Sequence, residues 1–133
     1  MTMQSSLRYL VFDLLDADDT SHTWEAMASV APARVPAVLE EAAGLVAWAQ
    51  AEFGAEPLAL DDGGEWDVWL QVQADQAPPL TLNWPTHREQ ALPLPIPPGT
   101  QWVTVTLTLV AAAPLADALQ QHLDTVSAVG CRR

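Results

Sequence analysis

Lysine is absent from this chain. Its five basic residues are all arginine, set against 17 acidic residues, for a formal net charge of −12. A surface with that balance repels phosphate backbones and anionic headgroups, which argues against nucleic acid and membrane as partners. Cysteine is nearly absent too: the single Cys131 allows no intrachain disulfide and has no catalytic neighbour in the sequence. No apolar run reaches the ~20 residues of a membrane span; the longest covers residues 42–51. The opening MTMQSSLRYLVFD lacks a basic region followed by a long apolar segment and a small-residue cleavage site. It therefore reads as the start of the folded chain, with the cytoplasm as the expected setting. The missing lysine, beside abundant alanine and proline, suggests GC-rich coding and a bacterial source.

Signatures of chemistry are missing as well. There is no Gly-x-Ser-x-Gly elbow and no phosphate-cradling glycine loop. The histidines, His22, His87 and His122, have no metal-ligand spacing to each other or to Cys131. Asp16, Asp18 and Asp19 offer hard oxygen ligands, but a calcium loop starting at Asp16 needs a ligand, a glycine and a glutamate where this chain has Thr20, Ser21 and Met27. The expectation is a solvated hairpin turn, with no metal, no cofactor and no catalytic residue.

What is present is patterning. Half of the 133 residues are hydrophobic, enough for one folded domain. Residues 7–17 read as a strand covered on one face and partly on the other, with Leu10, Phe12 and Leu14 on one side and Tyr9, Val11 and Asp13 on the other. After the polar turn DADDTSH, residues 22–32 alternate again, Trp24, Ala26, Ala28 and Val30 against Thr23, Glu25, Met27 and Ser29. Two such runs joined by a short polar loop predict a hairpin. Over 36–53 the period changes to that of a helix: Val38, Leu39, Ala42, Leu45, Val46, Ala49 and Phe53 form one stripe, Trp48 falls at its border, Pro36 suits the first turn, and Gly54 suits the cap.

Three further strands are predicted, in EWDVWLQVQ (65–73), LTLNWP (80–85) and WVTVTLTLVA (102–111). A second helix over about 115–126 carries Leu115, Leu119, Leu123 and Val126, with His122 expected at a solvated position. Between the last two strands lies LPLPIPPG. Pro95 and Pro98 have the PxxP spacing of SH3-domain ligands, but a crossing loop within the domain is the reading the sequence favours.

The order ββαβββα predicts an α+β fold: one domain over 1–133, a single antiparallel sheet of about five strands, and two helices on one face. Residues 127–133 are expected to be a mobile tail.

One detail of the pattern is odd. In EWDVWLQVQ, Trp66, Val68, Leu70 and Val72 point one way, yet Trp69 shares the polar row with Asp67, Gln71 and Gln73. If the helices cover the apolar rows, the opposite rows form a free face. Met27, Trp69, Gln71, Trp102, Thr104 and Thr106 are its candidate binding residues, since aromatics and methionine are enriched where interfaces are buried.

The function expected is that of a non-enzymatic interaction module that self-associates as a homodimer, or binds a basic protein partner, through this face. The acidity would suit neutralisation of a basic protein. The alternative is a small ligand-binding protein or enzyme with a pocket lined by His22, Trp24, Trp84, His87 and Arg88. There a histidine beside an arginine and a carboxylate could do acid–base work on an anionic substrate. The segment 91–99 could also fold back and cover the free face.

Overall fold

A computed structural model describes residues 9–54, 57–58, 60–75, 77–83 and 96–126, with Leu82 and Asn83 described as backbone only. The strands are β1 (Phe12–Ala17), β2 (Ser21–Val30), β3 (Trp66–Ala74), β4 (Leu80–Asn83) and β5 (Val103–Ala112). The helices are α1 (Val35–Phe53) and α2 (Ala113–Val126). The strands form one sheet in the order β1-β2-β5-β3-β4, antiparallel at every neighbouring pair. This is the α+β architecture that the strand and helix order implies.

β2 and β3 are both antiparallel to β5, so they run parallel to each other, with α1 as their crossover and β5 in the gap. That is a split βαβ unit. β5 is consequently the central strand, and its inward row of Val103, Val105, Leu107, Leu109 and Ala111 is fully buried. Trp24, Ala26, Ala28 and Val30 flank it on one side, and Trp66, Val68, Leu70 and Val72 on the other. Fully burying a side chain of Leu or Val size contributes about 1.5–3 kcal/mol, so these strands hold much of the core's stability.

α1 covers this surface with Val35, Val38, Ala42, Leu45, Val46 and Ala49, while Leu39 and Phe53 pack at the margin. A short 3-10 turn, Pro32–Arg34, leads into it. It stops at Gly54, whose φ of 68° is left-handed and whose N–H donates to the Gln50 carbonyl, a conformation open to glycine at little cost. α2 begins directly where β5 ends and adds Ala116, Leu119, Leu123 and Val126 to the core. Pro114 is tolerated in its first turn because that N–H has no helical partner anyway.

Polar ties position the outer pieces. The Glu41 carboxylate accepts from the N–H groups of Tyr9 and Leu10, holding the segment before β1 against α1. The buried indole of Trp24 donates from Nε1 to Gln120 Oε1 at 2.7 Å, linking β2 to α2. Without that acceptor, a buried N–H would be left unsatisfied. Ile96, shortly before β5, packs against the core cluster. Residues 91–95 and 127–133, named above as a possible cover and as a tail, lie outside the described residues.

Candidate interaction face

The strand register builds the face opposite the helices row by row. Asp13 pairs with Glu25, and across β5 the same row continues through Thr108 and Trp69 to Asn83. The next row runs Met27, Thr106, Gln71, Thr81, and the one after it Ser29, Thr104, Gln73. On the other side of the Trp69 row lie Thr23, Val110 and Asp67. Trp102 precedes β5 and continues the register opposite Asp75, whose N–H donates to the Trp102 carbonyl at 2.8 Å.

Asp75 sits at φ 46°, a left-handed conformation that aspartate tolerates better than most residues. Its carboxylate accepts from the N–H groups of Gln101 and Trp102, which closes the hairpin end beneath Trp102.

The face therefore has two ends of different character. Carboxylates, those of Asp13, Glu25 and Asp67, gather at one end. The rows of Met27 and Ser29 carry no charged side chain. Large side chains stand out among the small polar ones. Met27 and Trp102 are each 57% exposed and Trp69 is 36% exposed, against 1% for Trp66, three residues earlier on the opposite face of the same strand. Thr108, flanked by Glu25 and Trp69, is only 8% exposed although it lies on this open face.

The polar groups are tied to one another laterally. Ser29 Oγ and Thr104 Oγ1 lie 2.8 Å apart across β2 and β5. Gln71 Nε2 donates to Thr81 Oγ1 and Gln73 Nε2 to the Ala77 carbonyl.

The other candidate residues are placed as follows. Trp24 is in the core, 1% exposed, with His22 beside it at a ring separation of 5.8 Å. Trp84, His87 and Arg88 lie outside the described residues. In the first hairpin turn, Asp18 Oδ1 accepts from the N–H and hydroxyl of Thr20 and the N–H of Ser21. The Thr20 hydroxyl, then the two backbone donors, hold its carboxyl down at about 2. Among the described residues, no three His, Cys, Asp or Glu side chains are grouped so as to hold a metal ion.

His122, expected at a solvated position, is instead half-buried and stacked on Trp48. Its neighbours in α2, Gln121 and Asp124, are exposed; its own side faces α1.

Sequence reasoning placed Thr108 on this face but not its shelter, and it missed Asp75. Thr108 is sheltered by what lies across from it, and that follows from register. Asp75 had a faint signal, an aspartate directly after a strand and before Gln-Ala-Pro-Pro, a composition typical of turns.

No helix among the described residues is long and apolar enough to cross a membrane. No family model, no curated protein and no solved structure matches this chain.

Proposed function

We propose that this chain is a non-enzymatic interaction module whose free sheet face docks on a second copy of itself. The observation that carries this is the belt without charged side chains, the Met27 and Ser29 rows, with Trp69 bordering it on one side and Trp102 on the other, on a molecule of net charge −12. A basic partner would gain most from an acidic surface. A second acidic copy can approach only where charge is missing, and the belt is such a place.

Two physical features favour burial there. Trp69, Met27 and Trp102 supply apolar area, and large aromatic residues are frequent anchors of interfaces. The Ser29–Thr104 and Gln71–Thr81 hydrogen bonds already satisfy polar groups sideways. Covering these groups then leaves fewer of them unpaired, which lowers the desolvation cost.

A two-fold axis lying between the sheets and across the strands places the end with Glu25 and Asp67 over the partner's end with Ser29, Thr104 and Gln73, where the carboxylate of Asp75 already accepts from the N–H groups of Gln101 and Trp102. Symmetric, self-complementary pairing of this kind is the commonest form of oligomer. The setting we assign is the cytoplasm, since a lone cysteine gives an oxidising compartment nothing to pair within the chain.

The test is sedimentation equilibrium of the whole chain across micromolar concentrations. The proposal requires a mass that rises from monomer to dimer. A monomer mass at every concentration rejects it.

A further inference from the structure

Among the described residues the sheet has a second unpaired surface, its β1 edge, and its chemistry differs from that of the face. We propose that β1 accepts an extended, basic strand of another protein, which extends the sheet by one strand.

Among the described residues, β1 is the terminal strand and pairs only with β2. The stretch around it is unusually exposed for its apolarity: Val11 is 41%, Leu14 49% and Leu15 56% exposed. The alternation sorts its side chains. Phe12 and Leu14 lie opposite Ala26 and Trp24, on the helix side of the sheet. Asp13 and Asp16 lie opposite Glu25 and Thr23, on the free-face side. The register shifts between Leu14 and Asp16, which leaves Leu15 in a bulge. Asp18 is committed to its own turn, whereas Asp13 and Asp16 have no hydrogen-bond or ion-pair partner among the described residues.

An added strand would meet these two rows in alternation. Its apolar side chains would lie beside Leu14, and its basic ones beside Asp13 and Asp16. Backbone hydrogen bonds supply affinity in such strand addition, and the alternating side chains supply the selectivity.

Charge decides the occupant. A second copy brought edge to edge would set Asp13 and Asp16 against carboxylates of its own kind, and like charges directly across strands are destabilising. The bulge and the acidic residues are devices that keep an edge from pairing with itself. The acidic residues do not oppose a strand carrying lysine or arginine at every second position, and the bulge interrupts its ladder only locally, at Leu15.

The probe is a capped peptide alternating lysine and valine, with a peptide of the same composition in two blocks as its control. Binding is read by fluorescence anisotropy at fixed ionic strength. The alternating peptide should bind more tightly than the block peptide. Replacing Asp13→Asn and Asp16→Asn together should weaken it roughly tenfold, the loss expected for two favourable cross-strand pairs. The pair Asp61→Asn and Asp62→Asn removes the same charge from the 3-10 turn Leu60–Asp62 and should leave binding unchanged. Amide exchange of the wild type should slow in β1 when the peptide is present. Equal weakening by both double variants, equal binding of both peptides, or no slowing in β1 would overturn the proposal. This test does not depend on the mass of the protein, so it stands or falls separately from dimerisation through the face.

Discussion

Trp48 of α1 and His122 of α2 stack ring on ring, with centroids 3.9 Å apart and planes 4° from parallel. Phe53 meets the same indole edge-on at 5.5 Å and reaches Trp66 at 6.0 Å. A chain of rings therefore joins both helices to the sheet at one end of the core. Burial against Trp48 pushes the His122 imidazole below its ordinary value, and the nearby Glu52 carboxylate pulls weakly the other way.

A pH dependence follows. The unfolded chain protonates His122 near pH 6.5, while the folded chain holds it neutral to lower pH. Over that interval the unfolded state binds more protons, so stability is full above about pH 6.5 and falls as the pH drops through the window down to the folded value. Thermal melts of wild type and His122→Phe isolate the effect, because the phenylalanine preserves the ring and removes the titration. The wild type should lose stability relative to the variant as pH falls toward 5.5, about one unit below the free histidine value. Parallel curves would contradict this.

Leu45 is 4% exposed beneath α1. Leu45→Ala should cost about 2–5 kcal/mol in denaturant unfolding, the range for a truncated core leucine. A loss under about half a kilocalorie, the size typical of surface changes, would mean that the stripe does not face the sheet.

Asp75 combines a left-handed backbone with a carboxylate that accepts from Gln101 and Trp102. Asp75→Gly removes the acceptor but suits the backbone. Asp75→Ala removes the acceptor and keeps a β-carbon where φ is positive, a strain of roughly 1–2 kcal/mol. Chemical denaturation should therefore rank stability as wild type, then glycine, then alanine. An alanine variant as stable as the glycine variant would show that the backbone at this position relaxes freely.

The two strands flanking Trp69's own, β5 and β4, show what sequence can and cannot reveal. In β5 the strict alternation of Val103, Val105, Leu107 and Leu109 with Thr104, Thr106 and Thr108 made both strand and face legible, because a period of two has one structural reading. The short β4 was legible as a strand, but its place at the sheet's edge was not, since strand order depends on pairings distant in the chain.

β1 shows the same limit. Leu14 belongs to the covered row by alternation, yet it is half exposed, because the edge of the sheet reaches past the helices. Its bulge has no residue signature such as glycine. His122 was misread because the residues around it are polar; only the packing of α2 against α1 turns it toward Trp48. The odd placement of Trp69 in a polar row was legible from the start, and the structure adds its register beside the sheltered Thr108.

Trp69 is the anchor of the proposed interface, and its removal is the most direct test. Trp69 stands on the open face, 36% exposed, so little of the core depends on it. An anchor tryptophan at an interface centre commonly contributes 2 kcal/mol or more to association. Trp69→Ala should therefore weaken self-association at least tenfold, equivalent to about 1.4 kcal/mol. Its thermal melt, taken on dilute monomer, should stay close to that of the wild type. Sedimentation of both proteins over the same concentrations, with melts alongside, reads the two quantities together. An unchanged dimer constant with a lowered melting temperature would place Trp69 in the chain's own packing and contradict the interface.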